Sequence, residues 1–165
     1  MFTKLQYGKR AIWNNGAHAH ELHSKKVSSL GMWCMNGSGV SLTVIVPVYN
    51  GGEKFRQCLM SLITSRPRPD EIIVVADGDT DGSRQVAEGL GIKVVFIPSP
   101  PQGPARARNI GAGAATGDIL FFVDADVKIH GDFVGMVMKF FQENLNVAAV
   151  IGDRKSTRLN SSHRL

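Results

Sequence analysis

A chain of 165 residues, 43% of them hydrophobic, is long enough to bury one substantial core and short for two. Its net charge of +5 is confined to the ends: residues 1–41 hold five Lys/Arg against one Glu, residues 153–165 hold four against one Asp, and the stretch between holds ten Lys/Arg against twelve Asp/Glu. A basic nucleic-acid surface is thereby excluded from the middle, the two cysteines lack the spacing of a zinc site or a disulfide framework, and no apolar run reaches the ~20 residues of a membrane helix.

Residues 1–41 are rich in Asn, Gly, Ser, His and Lys and show neither a helical nor a strand period, so a poorly ordered extension is expected there. The opening MFTKLQYGKRAIWNNGAHAH lacks the apolar stretch of a secretion signal, and Cys34 and Cys58 suit a reducing compartment, which together predict a cytoplasmic setting. The cluster HAHELH at 18–23 is not HExxH, because His20 and His23 have the wrong offset for a helical zinc pair; a solvated tail is expected.

Regular order begins after Ser41. LTVIVPVY (42–49) is a continuous apolar, β-branched run, the pattern of a strand buried on both faces. In NGGEKFRQCLMSLITS, residues Phe55, Cys58, Leu59, Leu62 and Ile63 recur at helical spacing, and Pro67 and Pro69 stop the helix. EIIVVAD (71–77) is a second buried strand, DGSRQVAEGLG (81–91) a short helix closed by glycine, and KVVFIP (93–98) a third strand. PARARNIGAGAAT (104–116) is a small-residue helix and DILFFVDADV (118–127) a fourth strand. DFVGMVMKFFQENL (132–145) is an amphipathic helix with Asp132 as N-cap, and NVAAVIG (146–152) is a fifth strand left at the sheet edge. Alternating helices and all-apolar strands define an α/β fold: a mostly parallel sheet with helices on both faces. Residues 153–163, DRKSTRLNSSH, resemble one reading frame of a common sequencing adapter, so 153–165 is expected to be a read-through tail outside the fold.

In such sheets ligands bind beyond the carboxyl ends of the strands. Pro47, Tyr49 and Asn50 close the first strand, Asp77 the second, and Asp124 and Asp126 the fourth. Residues i and i+2 of a strand share a side, so the two acids should converge, with the small Ala125 turned away. Two hard oxygen donors suit Mg²⁺ or Mn²⁺, which would neutralise a diphosphate. Gly111, Gly113 and Gly117 do not fit GxGxxG and lie late in a helix, which points to close packing on the sheet rather than dinucleotide binding. There is no GxxxxGK[ST] loop.

Three segments in register, VIVPVYNGG (44–52), VVADGDTDGS (74–83) and GPARARNIGAGAATGDILFFVDADV (103–127), closely resemble the family 2 glycosyltransferases. The resemblance covers about 42–152 and implies the truncated, nucleotide-binding half of their Rossmann-like GT-A fold. It implies that Pro47, Val48, Tyr49 and Asn50 wall a base pocket with Glu53 nearby, and that Asp77 contacts the base. It further implies that Arg108 and Asn109 face the nucleotide, that Asp124 lies near the ribose with Ala125 beside the ligand, and that Asp126 holds the metal with Asp124. Many relatives carry an acid where Ala76 stands and Ser where Asp79 stands. The implied donor is a UDP- or GDP-linked sugar, transferred with inversion to an acceptor hydroxyl. The general base is an Asp or Glu in the second half of such domains, so none is assigned here; Glu143 is expected to face solvent. Any membrane association would come through residues beyond this chain. Two alternatives remain at this point: a haloacid dehalogenase-like phosphohydrolase using Asp124 as nucleophile, and a non-catalytic nucleotide-binding fragment. In that phosphohydrolase family the acidic pair usually follows the first strand and is trailed by Thr, where this chain has its fourth strand and Lys128.

Overall fold

The computed structural model describes residues 10–14, 40–152 and 159–164, with side chains between Val40 and Ala148. The histidine cluster at 18–23, Cys34 and residues 153–158 lie outside the described residues.

Strand β2 (Leu42–Val48) is apolar on both faces and lies between β3 (Glu71–Asp77) and β5 (Ile119–Val123), parallel to both. β4 (Lys93–Ile97) extends the sheet beyond β3. On the other side β1 (Arg10–Asn14) runs parallel between β5 and β6 (Val147–Gly152), and β7 (Leu159–Arg164) pairs antiparallel with β6. The order is β4-β3-β2-β5-β1-β6-β7. The parallel α/β sheet is thus as expected, but two strands come from segments read without regular structure. They flank β6, which is therefore interior rather than an edge.

Strand alternation sorts the core into two layers. Val44, Val46, Val74, Ala76, Phe121 and Val123 face α1 (Gly52–Ile63), α2 (Ser83–Gly89) and α4 (Phe133–Glu143). Ile45, Ile73, Val75, Leu120 and Phe122 face α3 (Pro104–Ala114). Ala76 is fully buried in the first layer, where an acid would be desolvated without a partner. Phe55, Cys58, Leu59 and Leu62 form the buried stripe of α1 as the spacing predicts. Gly111 is the close-packing residue of α3: a Cβ there would collide with Ile45 Cγ2 and stand 3.1 Å from Val75 Cγ2. Gly113, two residues on, has open space around it. Asp132 occupies the N-cap position of α4, but its carboxylate turns to His130 Nδ1 at 2.9 Å instead of capping the helix.

Polar side chains stitch the amino-terminal edge of the sheet. Glu71 Oε2 accepts from Thr43 Oγ1 (2.8 Å) and the Thr116 N–H (2.9 Å), and Glu71 Oε1 pairs with Lys93 Nζ at 2.9 Å. The Leu42 N–H donates to Asp70 and the Ser41 N–H to Asp118. These acids hold structure and leave the carboxyl edge open for chemistry. No described helix is long and apolar enough to cross a membrane.

Candidate functional site

The same alternation that packs Ile45 and Val75 against α3 sends Pro47 and Asp77 to the α3 side of the carboxyl edge, and a bond to Arg108 on α3 brings Asp124 there just past the end of β5. Pro47, Val48, Tyr49 and Asp77 line a cleft of about 140 Å³ there, closed on the far side by Pro101, Gly103, Pro104 and Ala107. Tyr49 is 55% exposed, whereas Asp77 is only 3% exposed.

Asp77 is held by the loop that follows β4. The Gln102 N–H donates to both carboxylate oxygens, at 2.9 Å to Oδ1 and 3.0 Å to Oδ2, and the Gly103 N–H donates to Oδ2 at 2.7 Å. Gly103 takes φ +94°, a conformation that only glycine adopts without strain, and α3 starts at the next residue with Pro104. A second set of bonds ties the loop after β2 to the loop after β3. Asn50, at φ +50°, accepts the Thr80 N–H on Oδ1 at 2.8 Å, so it braces the loop and does not cap α1. The Gly51 N–H donates to Ser83 Oγ and the Gly52 N–H to Asp81 Oδ2, both at 3.0 Å. Burial pushes the Asp81 carboxyl up, but hydrogen bonds from Ser83 and Gly52 outweigh it and hold the group below its ordinary value. Asp79 accepts the Arg84 N–H at the start of α2, and its Oδ1 is buried without a partner.

The acidic pair departs from the expected geometry. β5 ends at Val123, and Asp124 to Val127 form a turn closed by the Val127 N–H to the Asp124 carbonyl at 3.0 Å. Strand periodicity therefore does not align Asp124 with Asp126. Beneath the turn lies Cys58, the buried thiol on α1, with Sγ 3.7 Å from the Asp124 carbonyl oxygen. Burial first, then the charges of Asp126 and Asp124, push that thiol up to about 12. Asp124 Oδ1 accepts from Arg108 at 2.6 Å, with Arg108 12% and Asp124 30% exposed. Asp126 is exposed. Among the described residues no group of three or more His, Cys, Asp or Glu converges as a metal cage. Two carboxylates, one of them exposed, still fit Mg²⁺ or Mn²⁺, since such ions complete their shells with water and substrate phosphates.

The cleft and the ion pair adjoin, because Pro104 and Ala107 line the first and Arg108 makes the second within one turn of α3. Of the residues expected around the base or beside the ligand, Asn50, Glu53, Asn109 and Ala125 lie outside the cleft lining. Glu53 is exposed on α1 and accepts from Gln57 at 3.4 Å. Asn109 is half-buried on α3 outside the cleft lining, and Ala125 packs against the core layer under α1 and α4. Glu143 is exposed, 3.9 Å from Lys139, as expected. The reading missed Pro101, Gln102 and Gly103; a glycine before a helix-opening proline was the available signal.

A parallel α/β sheet with a small cleft, a buried acid and an acidic turn at its carboxyl edge has the place where such sheets bind their ligands. The family model described as Glycosyl transferase family 2 matches residues 43–165, and the chain belongs to that family. An uncharacterized glycosyltransferase of Escherichia coli strain K12, YibD, is 36% identical over 123 residues, which is 72% of this chain and 36% of that protein. Glycosyltransferase GlyA of Streptococcus pneumoniae serotype 4 is 38% identical over 101 residues, 59% of this chain and 14% of its own. Among solved structures, S. aureus TarS 1–349 in complex with UDP-GlcNAc superposes with a TM-score of 0.60 at 29% identity, covering 65% of this chain and 32% of that one. The mannosyltransferase PcManGT of Pyrobaculum calidifontis, in complex with GDP-Man and Mn²⁺, gives 0.54 at 27% identity over 64% of this chain and 33% of its own. This chain spans about a third or less of the length of these relatives. Its fold is the nucleotide-binding part of the GT-A architecture.

Proposed function

We propose that this chain binds a nucleotide-diphosphate sugar at the carboxyl edge of its sheet and that the full-length enzyme transfers the sugar to an acceptor hydroxyl with inversion. The observation that carries this reading is the junction on α3, where the cleft holding Asp77 meets the Arg108–Asp124 pair within one helical turn. Family membership supports the reaction class and removes support from a phosphohydrolase that would use Asp124 as nucleophile.

The base sits against Tyr49 and Pro47 with its edge toward Asp77. Asn50 keeps the rim loop in place from below. Arg108 fixes one oxygen of Asp124, so the other oxygen is aimed before ligand arrives. Asp124 and Asp126 would hold Mg²⁺ or Mn²⁺, which supplies charge neutralisation at the departing diphosphate. In-line attack at the anomeric carbon needs a general base to take the acceptor proton. We assign that base and the acceptor platform to the part of the relatives' length that this chain does not span. Alone, the chain binds donor and transfers sugar slowly or not at all.

The test is calorimetric titration of the 165-residue chain with nucleoside diphosphates, with and without Mn²⁺. Binding should tighten at least tenfold with the metal, and Asp126→Ala should abolish that gain. Equal affinity of the parent and Asp126→Ala in Mn²⁺ would remove the metal role, and absence of any nucleotide binding would remove the function.

A further inference from the structure

β4 is an outermost strand of the sheet, and among the described residues nothing pairs with its side away from β3. The backbone groups of successive strand residues point to alternate sides. The Ile97 carbonyl accepts the Gly78 N–H at 2.8 Å, so Lys93, Val95 and Ile97 turn their backbone to β3. Val94 and Phe96 turn theirs outward. This open stretch is bounded at both ends. The Ile92 N–H is taken by the Ala87 carbonyl at 3.1 Å, and Pro98 has no N–H to offer.

Free edges are commonly guarded by a charge. Here Lys93 Nζ folds back onto Glu71 Oε1 and the Ala114 carbonyl, both at 2.9 Å. Phe96 stands at the edge instead, 42% exposed, with the Arg84 guanidinium 4.7 Å from its ring centre. Arg84 also holds Glu88 at 2.7 Å along α2. That helix joins two parallel strands and runs back against β4. One turn of it, about 6 Å, carries Glu88 from the level of Phe96 to that of Val94.

The edge is self-complementary. When a second copy is turned about a two-fold axis at Val95, Val94 faces Phe96 of the second copy and Phe96 faces its Val94. Every outward N–H and C=O of Val94 and Phe96 is then paired. A shift by two residues leaves one carbonyl of each strand without a donor, because it would need the Ile92 or Pro98 N–H. The same rotation sets Arg84 opposite Glu88 of the second copy, unlike charges at both ends.

We propose that β4 is a homodimer edge: two copies of this chain pair antiparallel through Val94 and Phe96, with Arg84 and Glu88 facing across the α2 side. One sheet then runs through both copies, and their carboxyl edges open in opposite directions. The contact is smaller than a standard interface, so the pair is weak.

Sedimentation equilibrium of the 165-residue chain over about 1–500 µM tests this. The apparent mass should rise from 17.9 kDa toward twice that and no further. Phe96→Pro removes an outward N–H and the ring but leaves the β3 ladder intact; it should weaken pairing at least about tenfold with an unchanged circular dichroism spectrum. Arg84→Glu should weaken pairing about threefold or more, and adding Glu88→Arg should restore it. Residues opposed without mutual hydrogen bonds lie about 4.5 Å apart, Cα to Cα, within disulfide reach. In a Cys34→Ser background, Val95→Cys should therefore form an intermolecular disulfide. Phe96→Cys should not, because its copies lie on a diagonal of about 7–8 Å. A mass that stays at one chain overturns the proposal, which is also the outcome if another segment of the same chain covers the edge. So does a mass that climbs beyond two chains, a dimer indifferent to Phe96→Pro, or a disulfide at position 96 in place of 95. Pairing that Arg84→Glu leaves unchanged overturns the charge match.

Discussion

Adding one methyl group at Gly111 should separate α3 from the sheet. An alanine Cβ there would overlap Ile45 Cγ2 and press on Val75 Cγ2, and both residues are fully buried in central strands. Neither can yield, so the helix must lift. Overpacking of this kind costs about 1–3 kcal/mol, and the better helix propensity of alanine returns roughly 1 kcal/mol. Gly113→Ala, on the same helix with open space around it, keeps the propensity gain and lacks the collision. The difference between the two variants isolates the steric part at about 1–3 kcal/mol, or roughly 2–12 °C in melting temperature for a domain of this size. Urea unfolding followed by circular dichroism measures both. Because Ala107 and Arg108 ride on the same helix, Gly111→Ala should also weaken nucleotide binding while Gly113→Ala does not. If Gly111→Ala proves as stable as Gly113→Ala, the close seat of α3 is wrong, and with it the placement of Ala107 in the cleft and Arg108 against Asp124.

Other outcomes follow from the same geometry. Burial pushes the Glu71 carboxyl up, but bonds from Thr116, Lys93 and Thr43 outweigh it and hold the group at about 2, below its ordinary 4.5. Its contribution is therefore complete above about pH 4.5 and lost as pH falls toward 2; Glu71→Gln should flatten the acid limb of urea midpoint against pH, and an unchanged limb counts against the network. Asp77→Ala removes the charged acceptor of the part-buried Gln102 and Gly103 N–H bonds, at about 1.5–3 kcal/mol for each, and should speed hydrogen exchange in that loop before any other; uniform exchange would contradict the bracing role. Cys58 is fully buried with its thiol raised to about 12, so in a Cys34→Ser background a thiol reagent at pH 8 should react only at the rate of unfolding; rapid labelling of native protein would refute its position under Asp124.

Strands β2, β3 and β5 were legible because burial on both faces demands unbroken apolar runs, and these are hard to mistake. β1 and β7 were not. RAIWN is five residues amid Asn, Gly and Lys, and LNSSHR has no alternation; pairing with neighbours, not local preference, makes them strands. The run through Val127 hid the end of β5, since a valine after DAD reads as more strand, while the Asp124 carbonyl in fact closes a turn. Asp77, Pro47 and Tyr49 could be assigned to the rim from strand ends alone. The Asp77 partners could be read only in part: 25 residues separate Asp77 from Gln102, and Gly103 before the helix-opening Pro104 marks a turn without showing that its N–H groups meet Asp77. Glu53 rested on the family resemblance alone; it is exposed in the first turn of α1.

The cross-ties at the rim have a kinetic consequence. Asp77 pins the 102–103 backbone, Asn50 grips Thr80, and Asp81 and Ser83 hold Gly52 and Gly51. An arriving nucleotide meets walls already standing, so the ordering cost that flexible loops impose on association was incurred when the chain folded. Capture should then be governed by encounter and charge, with ionic strength rather than loop rearrangement setting its speed.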